Sequence, residues 1–231
     1  MVSVIYCIYM KKKKIDINFF KCKTPDMLYV LGFFAADGSL SINKAGGHYF
    51  SFYSMDQQII SDIRKAMKSS HKLSKRIDKK TGNSCYRFQV GSRVMCEDLM
   101  KLGFAGNKTR NLPTLKLELN ELEHFVRGYF DGDGNVWSGI IHKYRKTSHI
   151  NVLLAFTSAS GDFLAFLKDN LMSRIGTTGS LFKGKKNYHR LQYSKKDAFK
   201  IYNFMYNTDT SFLVLYRKKK IFDNIIKNTQ P

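Results

Sequence analysis

Two aspartates stand at matched places in this 231-residue chain, each closing an apolar stretch and each followed by glycine. Residues 30–38 read VLGFFAADG and residues 126–134 read VRGYFDGDG, so Asp37 and Asp133 hold the same position in two copies of one pattern. If both stretches are helices, each carboxylate falls in a last turn, where the helix carries partial negative charge. The cost there is about 0.3–1 kcal/mol, and meeting it twice at equivalent positions asks for a function. Gly32, Ala35, Ala36, Gly128 and Gly132 are small enough for the two helices to pack with backbones nearly touching. Such packing gathers both side chains at one end of the pair, where their repulsion calls for a divalent cation. A single Asp-Gly is more simply a turn cap; the matched pair points to metal chemistry.

The elements that must hold these aspartates also repeat. FYSMDQQII (52–60) matches FTSASGDFL (156–164) as a strand entering a helix, and RFQVGSR (87–93) matches RLQYSKK (190–196) as a second strand with the same exit. The offsets between copies are 96, 104 and 103 residues, which describes a duplication whose second copy has the longer first hairpin. Each copy reads helix, strands, helix, strands, helix. Thr24-Pro25-Asp26 opens the first motif helix with a capping hydroxyl and a proline at the first helical position. Asn120, with Glu123 three residues on, is expected to open the second. Gly38 and Gly134 are expected as left-handed closing residues. Strands are expected around Tyr49 to Ser54, Tyr86 to Val90, Asn151 to Thr157 and Tyr188 to Tyr193. The polar stretch 106–113 has linker character, so the reading is an extension over 1–23, a first half over 24–114 and a second over 115–231.

Composition narrows the partner. Lysine and arginine total 39 against 18 acids, a net charge of +21 and a pI near 9.8. That excess suits a polyanion, since every phosphate neutralised releases counterions; a membrane surface or an acidic protein would also answer to it. No apolar run approaches the ~20 residues that span a bilayer. Val4 to Met10 followed by Lys11 to Lys14 lacks the order of a secretory signal and reads as a frayed extension. Cys7, Cys22, Cys85 and Cys96 form neither a zinc pattern nor a disulfide framework, which suits a reducing compartment. Lysine far outnumbers arginine, Phe and Tyr abound and proline is scarce, as AT-rich codons would give; an organelle, mitochondrion or chloroplast, is the expected location. The six histidines, His48, His71, His124, His142, His149 and His189, show no catalytic pairing.

VLGFFAADG and VRGYFDGDG both resemble the nine-residue motif that names the LAGLIDADG homing endonucleases, and the repeated order of elements extends the resemblance from about Thr24 to Lys227. It implies an α+β fold of two pseudo-symmetric αββαββα halves, packed through their motif helices, with antiparallel sheets forming a saddle over the DNA major groove. It implies that Asp37 and Asp133, helped by the carbonyls of Ala36 and Gly132, bind catalytic Mg2+, with Mn2+ able to substitute. Ala35 departs from the motif where its first acid would stand, while Asp131 keeps it; that position is not the family's metal ligand. The chemistry expected is hydrolysis of both strands across the ~6 Å minor groove, leaving 3′ overhangs. Each metal would polarise a phosphate, activate a water and stabilise the leaving oxygen. A cation near each metal would offset the charge that develops on phosphorus. Lys108 in the first half, and Arg217 or Lys218 in the second, stand at the places for it.

Two basic runs mark the expected DNA surface. From Arg64 to Arg93 ten basic residues face one acid, Asp78; from Arg174 to Lys196 there are seven and no acid. Lys75, Arg76, Lys79, Lys143, Lys183, Lys185 and Lys186 are the expected backbone contacts on this surface. Tyr53, Arg87, Gln89, Asn151, Arg190 and Gln192, with Tyr86 and Tyr188 interleaved, suit base edges and backbone. The expected partner is double-stranded DNA, bound by a monomer at one long asymmetric site. The alternatives are a splicing maturase that holds intron RNA with the same fold, and a regulator of the same fold that has typically lost its acids.

Overall fold

The computed structural model describes residues 13–79, 81–104, 111–141, 149–184, 188–207 and 213–228. The first half runs α1 (Pro25–Asp37), β1 (Gly38–Ile42), β2 (His48–Ser54), α2 (Gln57–Ala66), β3 (Leu73–Ile77), β4 (Ser84–Gly91) and α3 (Arg93–Lys101). The second repeats this order as α4 (Leu119–Asp133), β5 (Gly134–Ile141), β6 (His149–Ser158), α5 (Gly161–Ile175), β7 (Ser180–Lys183), β8 (His189–Ser194) and α6 (Lys195–Tyr206). It then adds a helix, α7 (Tyr216–Lys227). Each half holds one four-stranded antiparallel sheet, ordered β1-β2-β4-β3 and β5-β6-β8-β7. This is the α+β architecture of two αββαββα halves, and the β5–β6 hairpin is the longer one. No helix among the described residues is long and apolar enough to cross a membrane.

The strands alternate as a half-covered sheet requires. In the first sheet Phe50, Phe52, Phe88 and Val90 are buried against Ile59, Ile60 and Ile63 of α2, whose spacing makes one helical face. In the second, Val152, Leu154, Phe156 and Leu191 meet Phe163, Leu164, Leu167 and Leu171 of α5. The other face of each sheet, carrying Tyr53, Arg87 and Gln89 or Thr157, Arg190 and Gln192, has no helical cover among the described residues.

The motif helices α1 and α4 pack against each other over their length. A Cβ on Gly32 would lie 2.1 Å from the Phe125 carbonyl oxygen, and one on Gly128 would lie 2.0 Å from that of Tyr29. The helices touch through their backbones at two symmetric points, and any larger residue there drives them apart.

Three sequence expectations change. Gly38 (φ −91°) and Gly134 (φ −84°) are extended, not left-handed: each helix passes directly into a strand. Glycine is needed for space, since a Cβ would meet the Phe34 or Phe130 ring at 2.1 or 2.2 Å. The left-handed closure occurs instead at Gly176, after α5. The second motif helix opens at Glu118, not Asn120, and Glu121 Oε2 accepts the Glu118 amide at 2.8 Å. Finally, part of the stretch assigned to an extension is packed: Lys14 bonds Ser70, Asp16 bonds Met67, and Phe19 and Phe20 enter the core. Thr24 caps α1 as expected, its hydroxyl accepting the Met27 amide.

Candidate active site

The close crossing of α1 and α4 sets the site. Asp37 and Asp133 are the last residues of their helices and lie at the same end of the pair. A Cβ built on Gly132 would stand 3.4 Å from Asp37 Oδ2, so the carboxylate of one helix lies over the backbone beside the other aspartate. Both carboxylates act on the same neighbours. Burial raises the pKa of the Tyr129 hydroxyl, and the charges of Asp133 and Asp37 add to the rise. Tyr129 donates to the Thr157 carbonyl at 2.7 Å, and Thr157 Oγ1 donates to the Asp133 carbonyl at 2.9 Å, fixing the end of α4 against β6.

Lys218 reaches this end from α7. Its ammonium donates to the carbonyls of Phe130, Gly132 and Gly134 at 2.8, 2.9 and 2.7 Å. Two of these carbonyls, those of Phe130 and Gly132, belong to the last turn of α4, where the helix's partial negative charge favours a cation; the Phe130 carbonyl also accepts the Gly134 amide. Burial pushes the Lys218 pKa down to about 8, while Asp131, Asp37 and Asp133 pull it upward and Arg217 opposes them. The lysine thus belongs to a further helix and a buried cage, not to a solvated tail. Arg217 beside it turns away, its Nε and Nη2 holding Asp56 Oδ2 of the first half at 3.1 and 3.0 Å.

Asp131, read in the sequence only as a retained motif acid, proves to place α7. It is 2% exposed and accepts from the Tyr29 hydroxyl at 2.6 Å and the Leu215 amide at 2.7 Å. Burial raises its pKa against those hydrogen bonds and the nearby Lys218 and Arg127. By gripping Leu215, the residue before α7, it sets Lys218, a turn further on, against its three carbonyls. No sequence signal beyond the motif position pointed to this.

The remaining candidates fall into groups. Arg87 pairs in register with Tyr53, and Gln89 with Ser51; Arg190 pairs with Thr157, and Gln192 with Ala155. The two sheets therefore present the same Arg–Gln ladder on their uncovered faces. Burial pushes the Tyr53 hydroxyl pKa up, but hydrogen bonds with Ser39, Ser51 and Arg87, and the arginine's charge, bring it below its usual value. Arg76 pairs with Cys85, giving it the same face as Arg87. Asn151 is opposite Gly139 on the uncovered face of the second sheet. Lys75 and Lys183 are exposed and lie on edge strands β3 and β7, opposite Tyr86 and His189 on the helix side of each sheet. Tyr86 itself packs against the core and carries the Lys75 ammonium 5.7 Å above its ring. Lys79 is exposed just beyond β3. Lys108, Lys143, Lys185 and Lys186 lie outside the described residues.

Two cavities flank the helix ends. One of about 300 Å³ holds Asp37, Tyr53, Cys85, Arg217 and Lys218. Another of about 660 Å³ holds Asp133, Asn135, Trp137, Tyr188 and Arg190. A third, of about 690 Å³, lies at the opposite end of α1 between Leu28, Leu31, Leu112 and Pro113, away from both aspartates. Among the described residues, no three or more His, Cys, Asp or Glu side chains come together so as to hold a metal ion by themselves. The donors at the helix ends, carboxylates and peptide carbonyls, are all hard oxygens. They suit Mg2+, which takes few protein ligands and keeps waters or phosphates for the rest.

Residues 120–205 match the family model of the LAGLIDADG-like domain. The whole fold is similar to solved structures. I-LtrWI, a LAGLIDADG homing endonuclease bound to target DNA, is 15% identical, with a TM-score of 0.56 over 92% of each chain. The meganuclease I-SmaMI, bound to uncleavable DNA, is 15% identical (TM-score 0.59, 87% of this chain and 88% of that one). The homing endonuclease I-WcaI, bound to its DNA recognition sequence, is 16% identical (TM-score 0.58, 88% and 89%). A search of curated proteins by sequence finds no match.

Proposed function

We propose that this chain, which has the LAGLIDADG homing endonuclease fold and a LAGLIDADG-like domain in its second half, is a site-specific endonuclease cutting both strands of a long, asymmetric DNA target. The observation that carries the reading is the pair Asp37 and Asp133, held side by side where two helix backbones touch. Both aspartates are half-buried at helix C-termini, where the helix's partial negative charge disfavours a carboxylate, and a cation or a phosphate arriving there accounts for the matched pair. The structures it resembles are described as bound to DNA, and the charge of +21 fits the same partner.

In this reading the saddle of two sheets lies in the major groove, and the helix ends face the minor groove between the scissile phosphates. Asp37 and Asp133 would hold Mg2+, with Mn2+ as substitute and the Ala36 carbonyl beside them; the Gly132 carbonyl, which the resemblance also assigned to the metal, already accepts from the Lys218 ammonium at 2.9 Å. The metal, when bound, polarises phosphate and acidifies water. Lys218 keeps the α4 carbonyls fixed and brings positive charge to the site, where it opposes the negative charge that grows on phosphorus. Tyr129 and Thr157 hold the backbone of Asp133 in place. One chain supplies both helices, so a monomer suffices, and an organelle remains the proposed setting on composition.

Incubation with a randomised plasmid library in Mg2+ tests this. The expected products are linear molecules with 3′ overhangs sharing one asymmetric sequence, and none when the metal is chelated. Tight binding to intron RNA without any cut DNA would favour the maturase reading instead.

A further inference from the structure

The two sheets share their Arg–Gln ladder but differ around it. In the first, Ser41 pairs with Tyr49 at the mouth of the uncovered face, and Ser74 stands beside Arg87. In the second, the corresponding register holds Trp137 against Leu153, and Phe182 beside Arg190. Hydroxyls have become large apolar groups, and these remain in reach of solvent: Trp137 is 47% exposed and Phe182 51%. The Trp137 ring lies over Gly139, where a Cβ would come within 2.4 Å of it, so the ring is set on the sheet. Trp137 and Leu153 also line the cavity that contains Asp133 and Arg190, which puts them next to the proposed cut.

Apolar surface beside Arg190, on a sheet face proposed to lie against DNA, needs a partner that is both anionic and locally apolar. In the major groove only one group is apolar, the C5-methyl of thymine. Resting on the nuclease reading above, we infer that the second sheet reads thymine methyls near the cleavage point through Trp137, Leu153 and Phe182, whereas the first sheet reads polar base edges. Arg190 and Gln192 flank the patch with donors for guanine and adenine, so the second half-site mixes thymines with the purines they contact. The choice also separates DNA from RNA, whose uracil lacks the methyl.

The test changes the DNA, not the protein. Each thymine of the selected target is replaced in turn by deoxyuridine, and binding and cleavage are measured with the wild-type chain. Loss of a buried methyl should weaken binding about fourfold at one or more positions of the half-site bound by the second sheet, and at none in the other. In Trp137→Ser, thymine and deoxyuridine should become equivalent at the position that Trp137 covers, and 5-methylcytosine there should be better tolerated by the wild type than cytosine. Cleavage indifferent to deoxyuridine, or equally sensitive in both half-sites, overturns the inference and leaves the nuclease standing. A library in which no duplex is bound or cut overturns both.

Discussion

The motif helices α1 and α4 are copies that meet through identical contacts, yet their buried faces differ. Where α1 carries Leu28, Leu31 and Ala35, α4 carries His124, Arg127 and Asp131, all buried. Arg127 donates to the Met205 carbonyl at 3.0 Å and to His124 Nδ1 at 3.2 Å, and lies over the Tyr29 ring at 5.4 Å. Asp131 ties Tyr29 of α1 to the start of α7. The first half closes its side of the interface with apolar packing; the second uses hydrogen-bonded polar groups to attach α7, a helix with no counterpart among the described residues of the first half. Duplication kept the symmetry at the proposed site, in Asp37 and Asp133 and the glycines between them, and released it in the support behind.

That difference can be broken at several points. Among the groups that support the two aspartates, the largest effect is expected at Lys218. Lys218→Met leaves three carbonyls without a cation and should lower cleavage by about 10²–10³-fold, with binding at low salt nearly unchanged, as strand-resolved kinetics would show. Gly32→Ala and Gly128→Ala probe what stayed symmetric. Each new Cβ meets a backbone oxygen near 2 Å, so both should destabilise the fold by about 3 kcal/mol, and by similar amounts, in denaturant melts. A large inequality would mean that the crossing is less symmetric than its contacts.

The polar face of α4 should also give the second half a pH dependence. Burial, aided by the Arg127 charge, pushes the His124 pKa down to about 4, while an unfolded histidine takes its proton near pH ~6.5. The unfolded chain therefore binds the extra proton first. Stability present above pH ~6.5 is lost as pH falls toward about 4, by roughly 2–3 kcal/mol. His71, its pKa lowered by its own burial and then by Lys13, contributes in the same direction. His124→Gln should flatten that slope in melts across the window. The smallest effect is expected at Arg217, whose bond to Asp56 joins the halves at a solvent-exposed place: Arg217→Ala should cost at most ~1 kcal/mol.

The repeat made the architecture legible, because a helix-strand pattern recurring at near-constant offset fixes both halves at once. The meeting of Asp37 and Asp133 at one end of the helix pair was legible for the same reason. What the sequence hid depended on contacts between distant segments. Residues 118–123 contain two overlapping capping signals, Glu118 with Glu121 and Asn120 with Glu123. Propensity prefers Asn as a cap, yet the chain uses the glutamate pair, and Lys23 reaches Glu121 at 2.9 Å to join the helix starts. An Asp-Gly ending reads as a left-handed cap until the Phe34 and Phe130 rings claim the space beside each glycine. Asp131 carried no local signal, because its partners Tyr29 and Leu215 lie 102 and 84 residues away.

The central claim is that Asp37 and Asp133 serve one shared cleavage site. Its most direct test is strand-resolved cleavage of the selected target by Asp37→Asn and Asp133→Asn, each with a parallel binding measurement. Either substitution alone should abolish double-strand cleavage, by about 10³-fold or more, while binding stays close to that of the wild type. Full double-strand cleavage by either variant would contradict the account.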